Sequence, residues 1–373
     1  MIIDLSTPTT VRFGRGRLAE LGAVTAERGR DALLVCGRTS ARRHGHLDAA
    51  LSSLADAGVR VTVFDDVSPD PRAHEIDAAV AQARAAGCDV VIGLGGGSAL
   101  DAAKAVAVSL RHGPCGPLVG RTLERTADPV PVIAVPTTAG SGAEVTKGAI
   151  VTDTDRSLKA GIRGDDLFPA VALIDPALLR SVPARVAAES GFDALAHAVE
   201  GYVARRANAI TRHHAEWALG LLGHRLLQAV AGDLSDEVLD DMALAALLGG
   251  LNVANASTCL PHRVQQAMGA VPRVRISHGR GLAAVYPAWL ELTYAHAPGS
   301  FDRIGELLGG PDVGLALGRI MEDTGVREGL GAHGFAPGDL ETVAGSVVGN
   351  TANDPNPSVD DTTVKAILEH SMT

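Results

Sequence analysis

The sequence predicts an α/β domain with a parallel sheet over residues 1–177, followed by an all-helical domain over 178–373. Three observations carry this. Through the first half, short β-branched runs alternate with helical patterns, the signature of a sheet covered by helices on both faces. Near residue 177 the alternation stops, and the periodicity is helical almost to the end. A chain of 373 residues also suits two domains.

Each element follows from its own stretch. "TTVRFGRGRLAELG" reads as a strand leading into a helix, and "DALLVCG" (31–37), "VRVTVFD" (59–65), "DVVIGLG" (89–95), "VPVIAVPT" (130–137) and "AVALIDP" (170–176) read as buried strands. Between them, "HLDAALSSLADAG" and "EIDAAVAQARAAG" are helical and stop at glycine. In the second half, "DLSDEVLDDMALAALLGGLNVANAS" opens with Ser235 as a cap and acids in the first turn, then shows an apolar face. "GNTANDPNPSVDD" (349–361) is a loop before a short last helix.

Composition bounds the function. Hydrophobic residues are 46% and charged residues 20%, enough for a sizeable core, and aromatics at 3% leave that core to Ala, Val and Leu. A net charge of −10 argues against nucleic acid, which wants a basic patch, and gives no reason to expect an anionic membrane surface. Cys36, Cys88, Cys115 and Cys259 are far apart with no CxxC pair, as reduced thiols of a cytosolic protein would be. The start lacks the pattern of a signal peptide, and no apolar run reaches the roughly 18 residues of a membrane span. The expected setting is cytoplasmic.

Two loops carry phosphate-binding chemistry. "GLGGGSALDAAKAVAV" follows a strand and opens a helix; Gly96 and Gly97 let backbone approach a ligand, and Ser98 stands where free N–H groups favour an anion. It is not the GxGxxG fingerprint, and alone it equally fits a tight turn without ligand. "PTTAGSGAEVT" (136–146) adds Thr137, Thr138 and Ser141 as donors after a second strand. Two such loops at parallel strand ends favour a dinucleotide.

A second constellation lies in the helical half. Asp193 and His197, in "GFDALAHAVEG", are four apart and share a helix face. His262 lies in "TCLPHRVQQAMGA" and His278 in "ISHGRGLAAVYPAWL". One carboxylate and three imidazoles suit a divalent transition metal such as Fe(II) or Zn(II), although the i, i+4 pair alone reads equally as packing. His213, His214 and His224 are read as packing residues.

With these motifs in place, the chain resembles the iron-containing (group III) alcohol dehydrogenase family along essentially its whole length. The phosphate turn, the "VPTTAGSGAEVT" loop, the "GFDALAHAVEGYV" helix and the "ISHGRGLAAVYP" segment are each similar to family motifs. The resemblance implies a dehydroquinate synthase-like fold and hydride exchange between NAD(P) and an alcohol or aldehyde carbon. It implies catalytic metal ligation by Asp193, His197, His262 and His278. It implies nucleotide contacts at Gly96, Gly97, Ser98, Thr137, Thr138, Ser141 and Lys159, to which Gly37, Arg38, Asp70 and Asp101 are added. Family members are often homodimers, and that is the expectation here.

Two departures from the family pattern stand out. Where an acid often follows the second strand to bind ribose hydroxyls, this chain has Gly37 and then Arg38, which favours NADP(H) over NAD(H). Four residues past His262, Gln266 replaces a common histidine and cannot relay a proton as imidazole can. Around the expected ligands lie Arg263, Arg273, Arg275 and Arg280, with Lys147 after the second loop. Such a site, with Lys147, Arg263, Gln266 and Arg280 as substrate contacts, suits a small anionic aldehyde, as in phosphonoacetaldehyde or maleylacetate reductases. A glycerol-type dehydrogenase is a neighbouring alternative. A dehydroquinate-synthase-like lyase and an inactive binding protein are alternatives of other classes.

Overall fold

A computed structural model describes residues 3–373. Contacts divide the chain into two units. One comprises Thr7–Thr138 and Ala143–Val182; the other comprises Pro183–Thr373 with Ala139–Gly142 and residues 3–6. Residues 139–142, inside the span expected for the α/β domain, thus cluster with the helical unit.

The first unit holds β1 (Thr10–Phe13), β2 (Asp31–Gly37), β3 (Arg60–Val67), β4 (Val90–Gly95), β5 (Val132–Pro136), β6 (Gly148–Asp153), β7 (Leu158–Arg163) and β8 (Val171–Ile174). Its helices are α1 (Leu21–Ala26), α2 (Ser40–Arg43), α3 (His46–Asp56), α4 (Ala73–Ala86) and α5 (Gly97–His112). Six strands form a parallel sheet in the order β1-β8-β5-β4-β2-β3. Period-2 alternation explains its two cores. From β2, Leu33 and Val35 face α4 and α5 among Ile76, Ala79 and Val106, while Ala32, Leu34 and Cys36 face α1 and α3 among Leu21, Leu47 and Leu54. Each such Leu or Ile, fully buried, contributes about 1.5–3 kcal/mol. The antiparallel pair β6–β7 was not expected from the sequence; its strands are short and follow a loop rich in Gly and Thr.

The strand order reverses between β2 and β4, and open sheets of this kind bind ligands at the carboxyl ends beside such a reversal. Gly37, Gly95 and Pro136 are the residues that end β2, β4 and β5.

The helical unit comprises α6 (Ala184–Val203), α7 (Ala209–Val230), α8 (Asp236–Ala256), α9 (Leu260–Ala267), α10 (His278–Thr293), α11 (Pro298–Leu307), α12 (Val313–Asp323), α13 (Leu340–Gly345) and α14 (Asp361–His370). Ser235 does sit at the N-cap of α8, but its side chain makes no capping bond. His213 and His224 are exposed on α7, so they do not pack as expected, and His214 is half-buried. Among the described residues, no single helix is long and apolar enough to cross a membrane; only the bent pair Asp236–Ala256 and Leu260–Ala270, broken by 95°, passes on length and composition.

Candidate metal centre and nucleotide turn

Helix α6 starts after Pro183 and runs 20 residues. Asp193, His197 and Glu200 fall at i, i+4 and i+7, so one stripe of this helix carries two acids and an imidazole into the interior. All three are buried. His262 comes from α9, whose start carries Pro261, and His278 is the first residue of α10. Gly279 makes that position possible. A Cβ there would lie 2.0 Å from the Glu189 carbonyl oxygen, so only glycine lets α10 begin against α6.

The three imidazoles converge on one oxygen. Asp193 Oδ1 lies 3.5 Å from His197 Nε2, 3.4 Å from His262 Nε2 and 3.2 Å from His278 Nε2. The His197 and His262 rings stack at 4.7 Å, and the His262 and His278 rings are tilted at 5.3 Å. Asp193, His262 and His278 form the tightest group, with donor atoms all within 4.8 Å of one another; His197 joins it through Asp193.

Every imidazole has its other nitrogen committed. His262 Nδ1 is 2.7 Å from Glu200 Oε1, His278 Nδ1 is 2.5 Å from Gln265 Oε1, and His197 Nδ1 is 3.3 Å from the Gly140 carbonyl. A carboxylate, an amide oxygen and a backbone carbonyl can only accept, so each Nδ1 donates. In a neutral ring that leaves Nε2 as a bare lone pair. Glu200 is itself fixed, its Oε2 accepting from the Cys259 N–H at 2.6 Å.

These residues fit a divalent cation. Asp193 Oδ1 and His262 Nε2 are buried and lack a hydrogen-bond partner, a costly state unless something positive stands between them. Ligands about 2.1 Å from a tetrahedral centre lie about 3.4 Å from each other, and the observed spacings bracket that value. The electrostatics agree. Burial alone would raise the Asp193 carboxyl, but the imidazoles of His197, His278 and His262 hold it well below the usual range. Burial also depresses His197, to about 4, so it is a neutral donor. Burial opposes charge on His262 too, yet Glu200 and Asp193 outweigh it and push the ring up to about 9, so a cation binding here would displace a proton from its Nε2. Three acceptors of Nδ1 (Glu200, Gln265 and the Gly140 carbonyl) escaped the sequence reading. Only Glu200 left a signal, as the acid at i+7 on the metal helix.

The nucleotide turn is built mostly from backbone. Gly95 has φ +151°, and a Cβ there would lie 2.8 Å from Ala99 Cβ. Helix α5 begins at Gly97 with no side-chain cap, leaving N–H groups of Gly97 and Ser98 for an anion. A Cβ on Gly96 would meet Thr138 Oγ1 at 3.0 Å, so the two loops do adjoin. The Thr137 N–H donates to the Gly95 carbonyl at 3.0 Å. Ser98 Oγ accepts from the Asp70 N–H at 3.2 Å, and Lys159 Nζ donates to Asp70 Oδ1 at 2.7 Å, joining three expected contacts in one chain. Asp101 instead accepts from the Ile150 N–H at 2.9 Å, which ties α5 to β6, and lies 3.1 Å from buried Lys104 on its own helix. Ser141 belongs to the helical unit, where it is half-buried.

The cations expected near substrate separate. Arg280 pairs with Glu189 at 3.0 Å and with Glu328. Arg273 pairs with Asp339, and Lys147, in the sheet unit, lies 3.7 Å from Asp165. Arg263 differs: it is buried on α9 beside His262, and its NH2 donates to hydroxyls, Thr258 Oγ1 at 2.8 Å and Ser257 Oγ at 3.3 Å. Gln266 is buried one turn after His262.

Residues 8–176 match the iron-containing alcohol dehydrogenase family, and residues 187–372 match the C-terminal domain of the Fe-containing alcohol dehydrogenase family. The chain is 31% identical to 1,3-propanediol dehydrogenase of Klebsiella pneumoniae over 375 residues, covering 95% of each. An archaeal halo-thermophilic alcohol dehydrogenase from a Red Sea brine pool superposes with a TM-score of 0.93 over 100% of both chains at 26% identity. Sulfoacetaldehyde reductase of Bifidobacterium kashiwanohense, solved in complex with NAD+, superposes with a TM-score of 0.88 at 27% identity, covering 100% of this chain and 99% of its own. The chain belongs to the iron-containing alcohol dehydrogenase family and is an NAD(P)-linked alcohol/aldehyde oxidoreductase.

Proposed function

We propose that the enzyme reduces a small aldehyde bearing an anionic group to its alcohol, reversibly, with NADPH preferred over NADH and one divalent cation, Fe2+ or Zn2+, held by Asp193, His197, His262 and His278. The observation that carries this reading is the convergence of three Nε2 atoms on Asp193 Oδ1, each ring oriented by an acceptor at Nδ1. The bound cation supplies Lewis acidity toward the carbonyl oxygen, and the dinucleotide supplies the hydride. The protein's own part is to orient and to exclude water. Glu200 and Gln265 fix the ring planes, and only His278, with its side chain 31% exposed, opens the cluster to solvent. Gln266 cannot act as acid or base, so the alcohol's proton has no imidazole route at that position.

Arg263 supports the anionic substrate. It is a buried guanidinium adjacent to a ligand, steadied by hydroxyls, and such a group recognises carboxylate, phosphonate or sulfonate with paired N–H donors. A relative reducing sulfoacetaldehyde is consistent with this class. Gly37 and Arg38 support NADPH, since β2 itself ends without an acid and is followed by a cation that can pair with a 2′-phosphate.

The test compares kcat/KM for acetaldehyde, succinic semialdehyde and phosphonoacetaldehyde, followed by loss of reduced nicotinamide. The anionic compounds are expected to win, and Arg263→Gln to remove their advantage while sparing acetaldehyde. Equal efficiency on neutral and anionic aldehydes rules out the anionic site.

A further inference from the structure

Gly37 is not glycine for want of room. A Cβ there would meet only the Val67 carbonyl oxygen, at 3.7 Å. The acid that β2 lacks is supplied next door. Gly37 pairs with Val67 of β3 across an irregularity in register, and the residue before Val67 is Asp66. Arg38 Nε donates to Asp66 Oδ1 at 2.6 Å, and its NH2 lies 3.5 Å from Glu75 Oε1. Arg42 pairs in the same way with Asp65, at 2.8 Å.

The two carboxylates that meet Arg38 are held very differently. Glu75 is buried and accepts from Ser68 Oγ at 2.7 and 2.9 Å, the Ser68 N–H at 3.3 Å and the Arg72 N–H at 3.2 Å, so it cannot swing. The Asp66 side chain is 66% exposed and that of Arg38 is 53% exposed. A solvated single pair of this kind is weak, whereas a phosphate offers a guanidinium a stronger, paired contact.

We propose that Asp66 sets the balance between NADPH and NADH by competing with the 2′-phosphate for Arg38, while Glu75 positions the guanidinium for the exchange. With NADH, Asp66 keeps Arg38. With NADPH, the phosphate takes Arg38, and the displaced carboxylate remains nearby and repels it. Asp66 therefore lowers a preference that Gly37 and Arg38 would otherwise make large. The inference rests on the nucleotide reading above.

The test is direct titration of full-length protein with NADPH and with NADH, read by nicotinamide fluorescence. Asp66→Asn is expected to bind NADPH about tenfold more tightly, the size of one charge-assisted contact, with little change for NADH. The gain should vanish in Asp66→Asn/Arg38→Gln. Glu75→Gln should weaken NADPH alone, and Ser68→Ala, which loosens Glu75 without removing its charge, should do so more mildly. An unchanged Kd ratio in Asp66→Asn, or a gain that survives loss of Arg38, overturns the proposal; wild-type NADPH affinity in both Glu75→Gln and Ser68→Ala overturns the role of Glu75. Aldehyde turnover separates the two readings. A shifted ratio without turnover defeats the proposed reaction and leaves this inference standing; turnover with a fixed ratio does the reverse.

Discussion

The metal cluster and the glycine turn solve opposite problems. The cluster is made of side chains drawn from α6, α9 and α10, over positions 193 to 278, and each imidazole is oriented by a second group. The turn is made of backbone from one contiguous stretch, Gly95 to Ser98, and works by what is missing from it. A side-chain site fails when a donor is removed; a backbone site fails when an atom is added. The difference also shows in two buried carboxylates. Burial would raise both, but at Asp193 three imidazoles reverse that effect, whereas Glu144, in the sheet unit, is pushed up to about 7 because burial outweighs its own backbone hydrogen bond and Lys104.

The contrast can be broken most forcefully at Asp193. Asp193→Ala removes the oxygen on which the rings converge. It should cut kcat/KM by about a hundredfold or more, the loss of several kcal/mol of charge stabilisation, and abolish bound metal by elemental analysis. Activity within tenfold of wild type would remove Asp193 from the centre. Next in size is Glu200→Gln. A glutamine has one acceptor where both His262 Nδ1–H and the Cys259 N–H need one, so metal affinity should fall by about 10–100-fold, read by competition with a chelator. An unchanged affinity would mean that His262 needs no anchor.

Gly96→Ala attacks the other site by addition. Its Cβ would press on Thr138 Oγ1, so dinucleotide Kd should rise roughly tenfold, about 1.4 kcal/mol, while metal content stays at wild type. If metal content falls with it, the two sites are not separable in this way. The last effect is on stability rather than on binding or turnover. A carboxyl whose folded pKa is raised from 4.5 to about 7 helps folding below pH 4.5 and loses that help as pH rises toward 7. Glu144→Gln should therefore melt like wild type in acid and above it near neutrality, by about 3 kcal/mol at most. A variant less stable than wild type at pH 8 would show that the ionised carboxylate is held by compensating partners.

Legibility in the sequence follows the same divide. β2 spans the predicted 31–37 without shift, because "DALLVCG" is a continuous buried run bounded by a helix stop. The phosphate turn was readable because strand, glycines and helix start are neighbours in sequence. Asp193 and His197 announced themselves by spacing, whereas His262 and His278 joined them as candidates by residue type and were matched to the family's ligands by resemblance, since three helices must fold before the rings meet. Their anchors Gln265 and Gly140 carried no pattern, and the carbonyl of a glycine never can. The partners of the nearby cations were hidden for a related reason. Arg280 and Arg273 look available in sequence, while Glu189, Glu328 and Asp339, distant in the chain, neutralise them.

Anomalous diffraction at the absorption edge of the metal, from crystals of the loaded enzyme, bears most directly on the central assignment. The expected result is one peak per chain, about 2.0–2.3 Å from Asp193 Oδ1 and from the Nε2 atoms of His197, His262 and His278. A peak elsewhere, or one that leaves any of these four side chains uncoordinated, would contradict it.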